Sequence, residues 1–526
     1  MTTTASTTDE NTQTLEEAVS YIFHPRVLVM LLLGFSAGVP ILLIFSSLSL
    51  WLREAGVSRA DVTFFSWAAL GYSFKFVWAP LVDRLPLPFL GRWLGRRRSW
   101  LLVSQLAVIG AIVWMALTDP TAGTHGLTLM ALAAVALGFS SATQDIVIDA
   151  YRIESGSKRL QALMSSSYIA GYRIGMIVAG AGALYLAQKL GSTADSYSYD
   201  AWSKTYMAMA ATMLIGVATT LSIAEPSLTS RPQRDYSASD YGRFVALFVC
   251  GVLAFVLVFF VSSNLADSLK GYFAEQLANK ALASFIVAAL RLSAAIGVAF
   301  LVGGLLARIG LVEQKMLNET YIDPVRDFFR RYGIATACLL LALIGCYRIS
   351  DIVLGVISNV FYQDIGFDKT EIAFAVKTFG LLMTIAGGFI GGILAMRFGV
   401  MRIMLLGAVL SALTNLLFML LASAGQNMFL LYVVVAADNL AAGLASAAFI
   451  AFLSSLTNIS FTAVQYAIFS SLMTLLPKLI GGYSGGIVEV LGYSKFFLLT
   501  TALGLPALVL VLLASRSFDA RLPEPA

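Results

Sequence analysis

Long apolar runs separated by short polar breaks fill the chain from residue 27 to residue 514. Runs such as Val27 to Leu52 and Leu101 to Leu117 approach or exceed the roughly 20 residues a helix needs to cross a bilayer. A membrane β-barrel would instead alternate over roughly ten-residue segments, and these runs are continuous. Helices are therefore predicted. Six spans fall near 27–50, 62–82, 100–118, 127–150, 162–188 and 205–224. A polar stretch from Glu225 to Arg243, broken by Pro226 and Pro232, precedes two spans near 244–263 and 281–307. A second polar stretch, Arg308 to Tyr332, leads to six more near 334–360, 371–396, 401–422, 428–453, 463–487 and 496–514. The expected fold is an all-α polytopic membrane protein with about 14 transmembrane helices.

Composition agrees with the pattern. Of 526 residues, 58% are hydrophobic and 12% charged, about half the charge of an ordinary soluble domain. The mean hydropathy is +0.82. A soluble enzyme is excluded, and so is a disordered chain, which would be poor in apolar residues. Cys250, Cys338 and Cys346 lie in apolar runs without CxxC spacing, and His24 and His125 are the only histidines. Neither disulfides nor a metal site is implied. The first 26 residues, Thr-rich and acidic at Asp9, Glu10, Glu16 and Glu17, read as a solvated tail. A secretory signal would be basic and then apolar.

The expected domains are a tail at 1–26, a six-helix bundle at 27–225 and linkers at 226–333 carrying a transmembrane hairpin at about 244–307. A second six-helix bundle at 334–515 and a tail at 516–526 complete the chain. Arginine clusters such as Arg92, Arg96, Arg97 and Arg98, or Arg326, Arg330 and Arg331, fall on one side of the predicted topology. The other side holds scattered cations such as Arg53, Arg59, Lys189 and Lys204. Cations mark the cytoplasmic side, so both termini are expected in the cytoplasm. The net charge of +5 sits in these short loops, and no nucleic-acid partner is implied. The halves also echo each other. Ala79-Pro80-Leu81-Val82-Asp83-Arg84 and Gly392-Ile393-Leu394-Ala395-Met396-Arg397 end corresponding spans. Both resemble the G-x-L-a-D-R loop motif of the major facilitator superfamily, with Ala79 replacing its glycine and Met396 its acid. Parallel six-helix halves are that superfamily's architecture.

Charges inside the spans carry the functional signal. They are Lys75, Arg173, Arg291, Arg348, Lys377 and Lys478, with Asp145, Asp149, Asp351 and Asp438. Each costs about 2.5–3.5 kcal/mol at a helix centre on the insertion scale, so such groups face a bundle interior or a wet path. Asp145 and Asp149 stand i, i+4 on one helix face, and Arg348 and Asp351 stand i, i+3, close enough to pair. Asp149 is either a cavity acid or a solvated helix-end charge. Arg348 with Asp351 is either a proton-and-cargo switch or a structural pair. Arg291 is expected to pack against a neighbour or reach headgroups, and the GxxxG spacings at 171–175, 388–392 and 482–486 to serve close packing. Without a phosphate-binding loop, no cofactor is implied and a proton gradient is the expected energy source.

Several stretches together resemble the AmpG-type muropeptide permeases of Gram-negative inner membranes. They include Gly34-Phe35-Ser36-Ala37-Gly38-Val39-Pro40 and Phe74-Lys75-Phe76-Val77-Trp78-Ala79-Pro80-Leu81-Val82-Asp83-Arg84. Others are Ser141-Ala142-Thr143-Gln144-Asp145-Ile146-Val147-Ile148-Asp149-Ala150, Gly171-Tyr172-Arg173, Pro324-Val325-Arg326-Asp327-Phe328-Phe329 and Tyr347-Arg348-Ile349-Ser350-Asp351. Lys377-Thr378-Phe379-Gly380-Leu381 and Asp438-Asn439-Leu440 complete the set. The resemblance covers about 22–515 apart from the central insertion. It implies import of N-acetylglucosaminyl-1,6-anhydro-N-acetylmuramic acid, with or without peptide, together with protons, by a monomer in the bilayer. Lys75, Arg173, Arg348 and Lys377 would suit the cargo's carboxylates, with Gln144, Tyr172 and Asn439 beside them. Asp351, Asp145, Asp149 and Asp438 would serve proton coupling, and Asp83 with Arg84 the gating loop. Asp438 stands where the family pattern has glutamate. Two rivals are a carrier of another anionic cargo, such as an acyl-CoA, and a non-transporting assembly factor on the same fold.

Overall fold

The structure is a computed structural model. It describes residues 19–57, 72, 74–87, 89–158, 160–193, 196–226, 237–277, 280–481 and 484–519. Among these, eleven helices are long and apolar enough to cross a membrane. The first half contains α1 (Pro25–Glu54), α2 (Ala79–Arg84), α3 (Arg96–Ala116), α4 (Gly123–Ser155), α5 (Gln161–Lys189) and α6 (Tyr199–Ser222). Most of the predicted span 62–82 lies outside the described residues. The insertion contains α7 (Ala238–Val261), α8 (Ser263–Leu277) and α9 (Lys280–Arg308). In the second half, α10 comprises Ile334–Cys346 and Ile349–Asp364, broken at Tyr347 and Arg348. After it come α11 (Gly380–Phe398), α12 (Val400–Ala424), α13 (Met428–Leu456), α14 (Thr462–Gly481), α15 (Ser484–Leu491) and α16 (Tyr493–Asp519).

The chain divides into two compact units, Met1–Thr229 with Phe328–Ala526, and Ser230–Asp327. Within the smaller unit, the segment expected as an outer loop near 264–280 is helical, as α8. Leu265, Leu269 and Phe273 recur at helical spacing, and Ala266 is buried. Arg291 donates its Nε to the Phe259 carbonyl at 3.0 Å and to Ser262 Oγ at 3.2 Å. Its guanidinium lies 4.0 Å over the Phe259 ring. It thereby adds a donor to a carbonyl in the last turn of α7, where Ser262 Oγ also donates at 3.3 Å.

In the larger unit, α1 starts at a His24 side chain accepting from the Arg26 amide, with Pro25 in the first turn. Proline suits that position because its missing N–H would be unpaired there. α1 and α5 then run backbone to backbone. A Cβ on Gly171 would overlap the Leu31 carbonyl, and one on Gly38 would overlap that of Tyr172. Glycine is required at these crossings, as small residues are wherever membrane helices approach closely.

Ser167 Oγ donates to the Val27 carbonyl at 2.6 Å, so α5 begins beside the start of α1. We call this end, where α1 starts and α16 finishes, the termini face. At the opposite, far face each half has its own apolar core. The first half packs Leu48, Trp51, Val108, Met130 and Trp202 there, and the second half Val353, Phe361, Phe418 and Phe497. At the termini face one core joins both. Ala162 of α5 sits among Met404, Phe449, Phe452 and Phe469.

Candidate functional site

Three polar assemblies lie in the larger unit, the first of them joining the halves at the termini face. Asp83 ends α2, and its Oδ2 accepts from the Val464 backbone amide in the first turn of α14 at 3.1 Å. A helix N-terminus offers free amides and a positive dipole end, so the carboxylate is well placed. The other oxygen of Asp83 binds Arg97 Nη2 at 2.6 Å. Arg97 also grips Glu154, through Nε at 2.9 Å and Nη2 at 2.6 Å. Arg84 sits 5.8 Å over the Phe461 ring. The expected gating pair therefore meets the second half at this face. Nearby, Arg152 of α4 donates to Ser454 Oγ of α13 at 2.8 Å, and Ser166 of α5 donates to the Gly388 carbonyl at 2.6 Å.

Deeper in the first half, Asp149 stands between two cations, Lys75 at 3.6 Å and Arg152 at 3.4 Å. Asp145, one turn away on α4, accepts from the Tyr168 hydroxyl at 3.3 Å. Both acids are buried, as is Lys75. The Tyr172 ring lies 6.0 Å from that of Tyr168. Arg173 touches Met176 Sδ at 3.8 Å and has no carboxylate partner among the described residues.

The second half repeats this division. Arg348, at the break in α10, pairs with Asp351 at 3.1 Å and donates to Ser446 Oγ at 2.5 Å. Asp438 of α13 accepts from Thr414 Oγ1 at 3.4 Å. Of the acids within the spans, each half thus holds one in an ion pair and one touched by a hydroxyl. Arg348 also lies within electrostatic range of Arg173 across the halves. Guanidiniums are the side chains best suited to gripping a carboxylate.

The expected site residues do not all converge. Gln144 is fully buried and donates to Ser36 Oγ at 3.2 Å, so it packs α4 against α1. Asn439 is tied to Thr384 at 2.8 Å and to the Val435 carbonyl at 2.9 Å. Lys377 is exposed on a wide π turn, Ala373–Phe379, ahead of α11. The Lys478 side chain lies outside the described residues. Two cations expected in loops are instead buried, Arg97 at 1% and Arg152 at 0% exposure. Each extends its helix past the apolar run because partners inside the bundle neutralise it. With Glu154, Tyr466 and Ser454, these are the functional side chains that sequence reasoning missed. The i, i+3 spacing of Arg152 from Asp149 was the available signal.

Two helical halves that meet at one face, each carrying buried charged groups, have the major facilitator fold. The Major Facilitator Superfamily model matches residues 339–526, and a model described as Acetyl-coenzyme A transporter 1 matches 26–221. The fold is that of the solved proton:xylose symporter XylE bound to 6-bromo-6-deoxy-D-glucose. The TM-score is 0.58 at 13% identity, over 94% of this chain and 96% of that one. Among sequence relatives, the transporter AmpG 4 of Rickettsia felis is 29% identical over 94% of this chain and 97% of its own length. The anhydromuropeptide permease of Escherichia coli K12 is 29% identical over 94% of this chain and 81% of its own. The chain is thus similar over nearly its whole length to AmpG-type permeases, which are transporters and not enzymes.

Proposed function

We propose that this permease imports cell-wall muropeptides across the bacterial inner membrane, in symport with protons, for peptidoglycan recycling. Its cargo is N-acetylglucosaminyl-1,6-anhydro-N-acetylmuramic acid, with or without peptide, and its termini face is cytoplasmic. The observation that carries this reading is Arg173, without a carboxylate partner among the described residues and within electrostatic range of Arg348 in the other half. Such a pair suits the carboxylates of a bulky anion. The near full-length match to a named anhydromuropeptide permease supports the same cargo. Lys75, Gln144, Lys377, Tyr172 and Asn439 complete the proposed cargo set.

A proton on Asp351 would release Arg348 from its 3.1 Å pair, freeing the guanidinium for cargo. Asp145 and Asp438, held by hydroxyls, can take up a proton without breaking an ion pair and are the alternative carriers. The test is uptake of radiolabelled disaccharide anhydromuropeptide into cells lacking their own permease, with and without a protonophore. Protonophore-sensitive uptake is expected, and Asp351→Asn should lower it at least about tenfold while cargo exchange continues. Equal loss of uptake and exchange would give Asp351 a binding role instead. The first-half match to an acetyl-coenzyme A transporter model favours a second reading, an acyl-CoA carrier. Competition by acetyl-CoA, but not by muropeptide, would select it.

A further inference from the structure

Arg152 joins the interior charges to the closed face. Its Nη1 donates to Ser454 at 2.8 Å, Gln161 at 2.9 Å and Ser165 at 3.1 Å. Its guanidinium lies 5.2 Å over the ring of Tyr466 on α14. All of these partners are neutral. Among the described residues, the carboxylate within ion-pair distance is Asp149, whose Oδ1 faces Arg152 and whose Oδ2 faces Lys75. Asp145 on the same helix, Tyr168 on α5 and Tyr466 on α14 are the other ionisable groups around Asp149.

We propose that Arg152 is the positioning residue through which the charge on Asp149 controls opening of the termini face. It rests on the proton-symport part of the reading above and not on the identity of the cargo. A charged Asp149 neutralises the guanidinium and holds it aimed at Ser454 and Tyr466. A proton on Asp149 leaves a fully buried cation with amide and hydroxyl partners alone, an arrangement that is strongly disfavoured. Opening the face admits water to it. Lys75 competes for the same carboxylate, so an anion that draws Lys75 away gives Asp149 wholly to Arg152. Cargo then tightens the closed face and a proton releases it. The opposite signs order the cycle, with cargo held first and the face opened second.

Hydrogen–deuterium exchange on the purified full-length chain in nanodiscs tests this without cargo or gradient, so its failure leaves the cargo assignment standing. Asp149→Asn should speed exchange in segments 150–158 and 454–466 by about tenfold, within the usual range of coupling factors. Arg152→Gln should do the same, and the double variant should add little to either single, as for residues acting as one unit. Arg152→Lys should restore part of the protection, and Lys75→Gln should slow exchange at the same segments. Unchanged exchange in Asp149→Asn, or additive singles, would overturn the proposal. Faster exchange in Lys75→Gln would also overturn it, since a merely structural cluster loosens whichever member is removed. If Asp149→Asn does not fold, the sign of the Lys75→Gln effect decides alone.

Discussion

The termini face and the far face are built from the same helices, yet they hold the two halves together very differently. At the termini face one apolar core takes in Ala162 of the first half among second-half residues. Asp83 to Val464, Arg152 to Ser454 and Ser166 to Gly388 add hydrogen bonds across the same junction. At the far face the aromatic cores of the halves are separate. Contacts within a half serve stability, whereas contacts between halves set which side of the membrane the site faces. A ligand or substitution shifts that balance only through contacts that differ between the two states.

The largest expected effect breaks the comparison on its stability side. Trp51 is fully buried at the far face of the first half, stacked on Trp202 with ring centroids 5.7 Å apart. Its Nε1 donates to the Tyr197 hydroxyl at 3.2 Å. Trp51→Ala should cost about 3–5 kcal/mol of stability, as large-to-small core changes do. Thermal unfolding in detergent should show this as a lowered midpoint. Exchange protection at Val464 should fall no more than at other helices, because no inter-half contact is lost. A selective loss at Val464 would mean that the far-face core also sets the face equilibrium.

The next effect acts on the junction alone. A Cβ on Gly392 would lie 2.8 Å from Ser166 Oγ and 3.1 Å from Leu163 Cδ2, both in the opposite half. Gly392→Leu therefore wedges the termini face, and overpacking of this kind costs about 1–3 kcal/mol. The cost falls on the closed state alone, so the population should move toward the face-open state by roughly ten- to a hundredfold. Distance measurements between spin labels on α5 and α11 should show the separation growing, with little change in thermal midpoint. An unchanged distance would mean that the junction yields by side-chain movement.

How far the sequence speaks depends on the range of each interaction. Span positions follow from local hydropathy, and the Arg348–Asp351 pair follows from i, i+3 spacing, because both are set within one or two turns. Arg97 and Arg152 look like loop cations because charge ends an apolar run. What buries Arg152 includes Ser454, 302 positions away, and the cap that Asp83 places on α14 is 381 positions away. Nothing in either segment alone announces those partners. Gln144 shows the same limit. An amide in a charged motif suggests cargo contact, while its hydrogen-bond partner Ser36 lies 108 positions away on α1.

The smallest effect isolates one hydrogen bond of the junction. Asp83→Ala removes the cap on α14, a loss of about 1 kcal/mol for a helix N-terminus. It also removes one of the two carboxylates on Arg97. Glu154 keeps its two contacts with that guanidinium, so the buried charge stays paired and the larger penalty for an orphaned cation is avoided. Asp83→Asn retains an oxygen for the Val464 amide but not the charge at the dipole end, itself worth about 0.3–1 kcal/mol. Exchange at Val464 should therefore rise by roughly fivefold in Asp83→Ala and by less in Asp83→Asn. Equal effects would assign the lock to the charge and its pairing with Arg97. The expected graded order assigns it to the hydrogen bond that crosses between the halves, and makes Asp83 part of the same closed face that Arg152 controls from within.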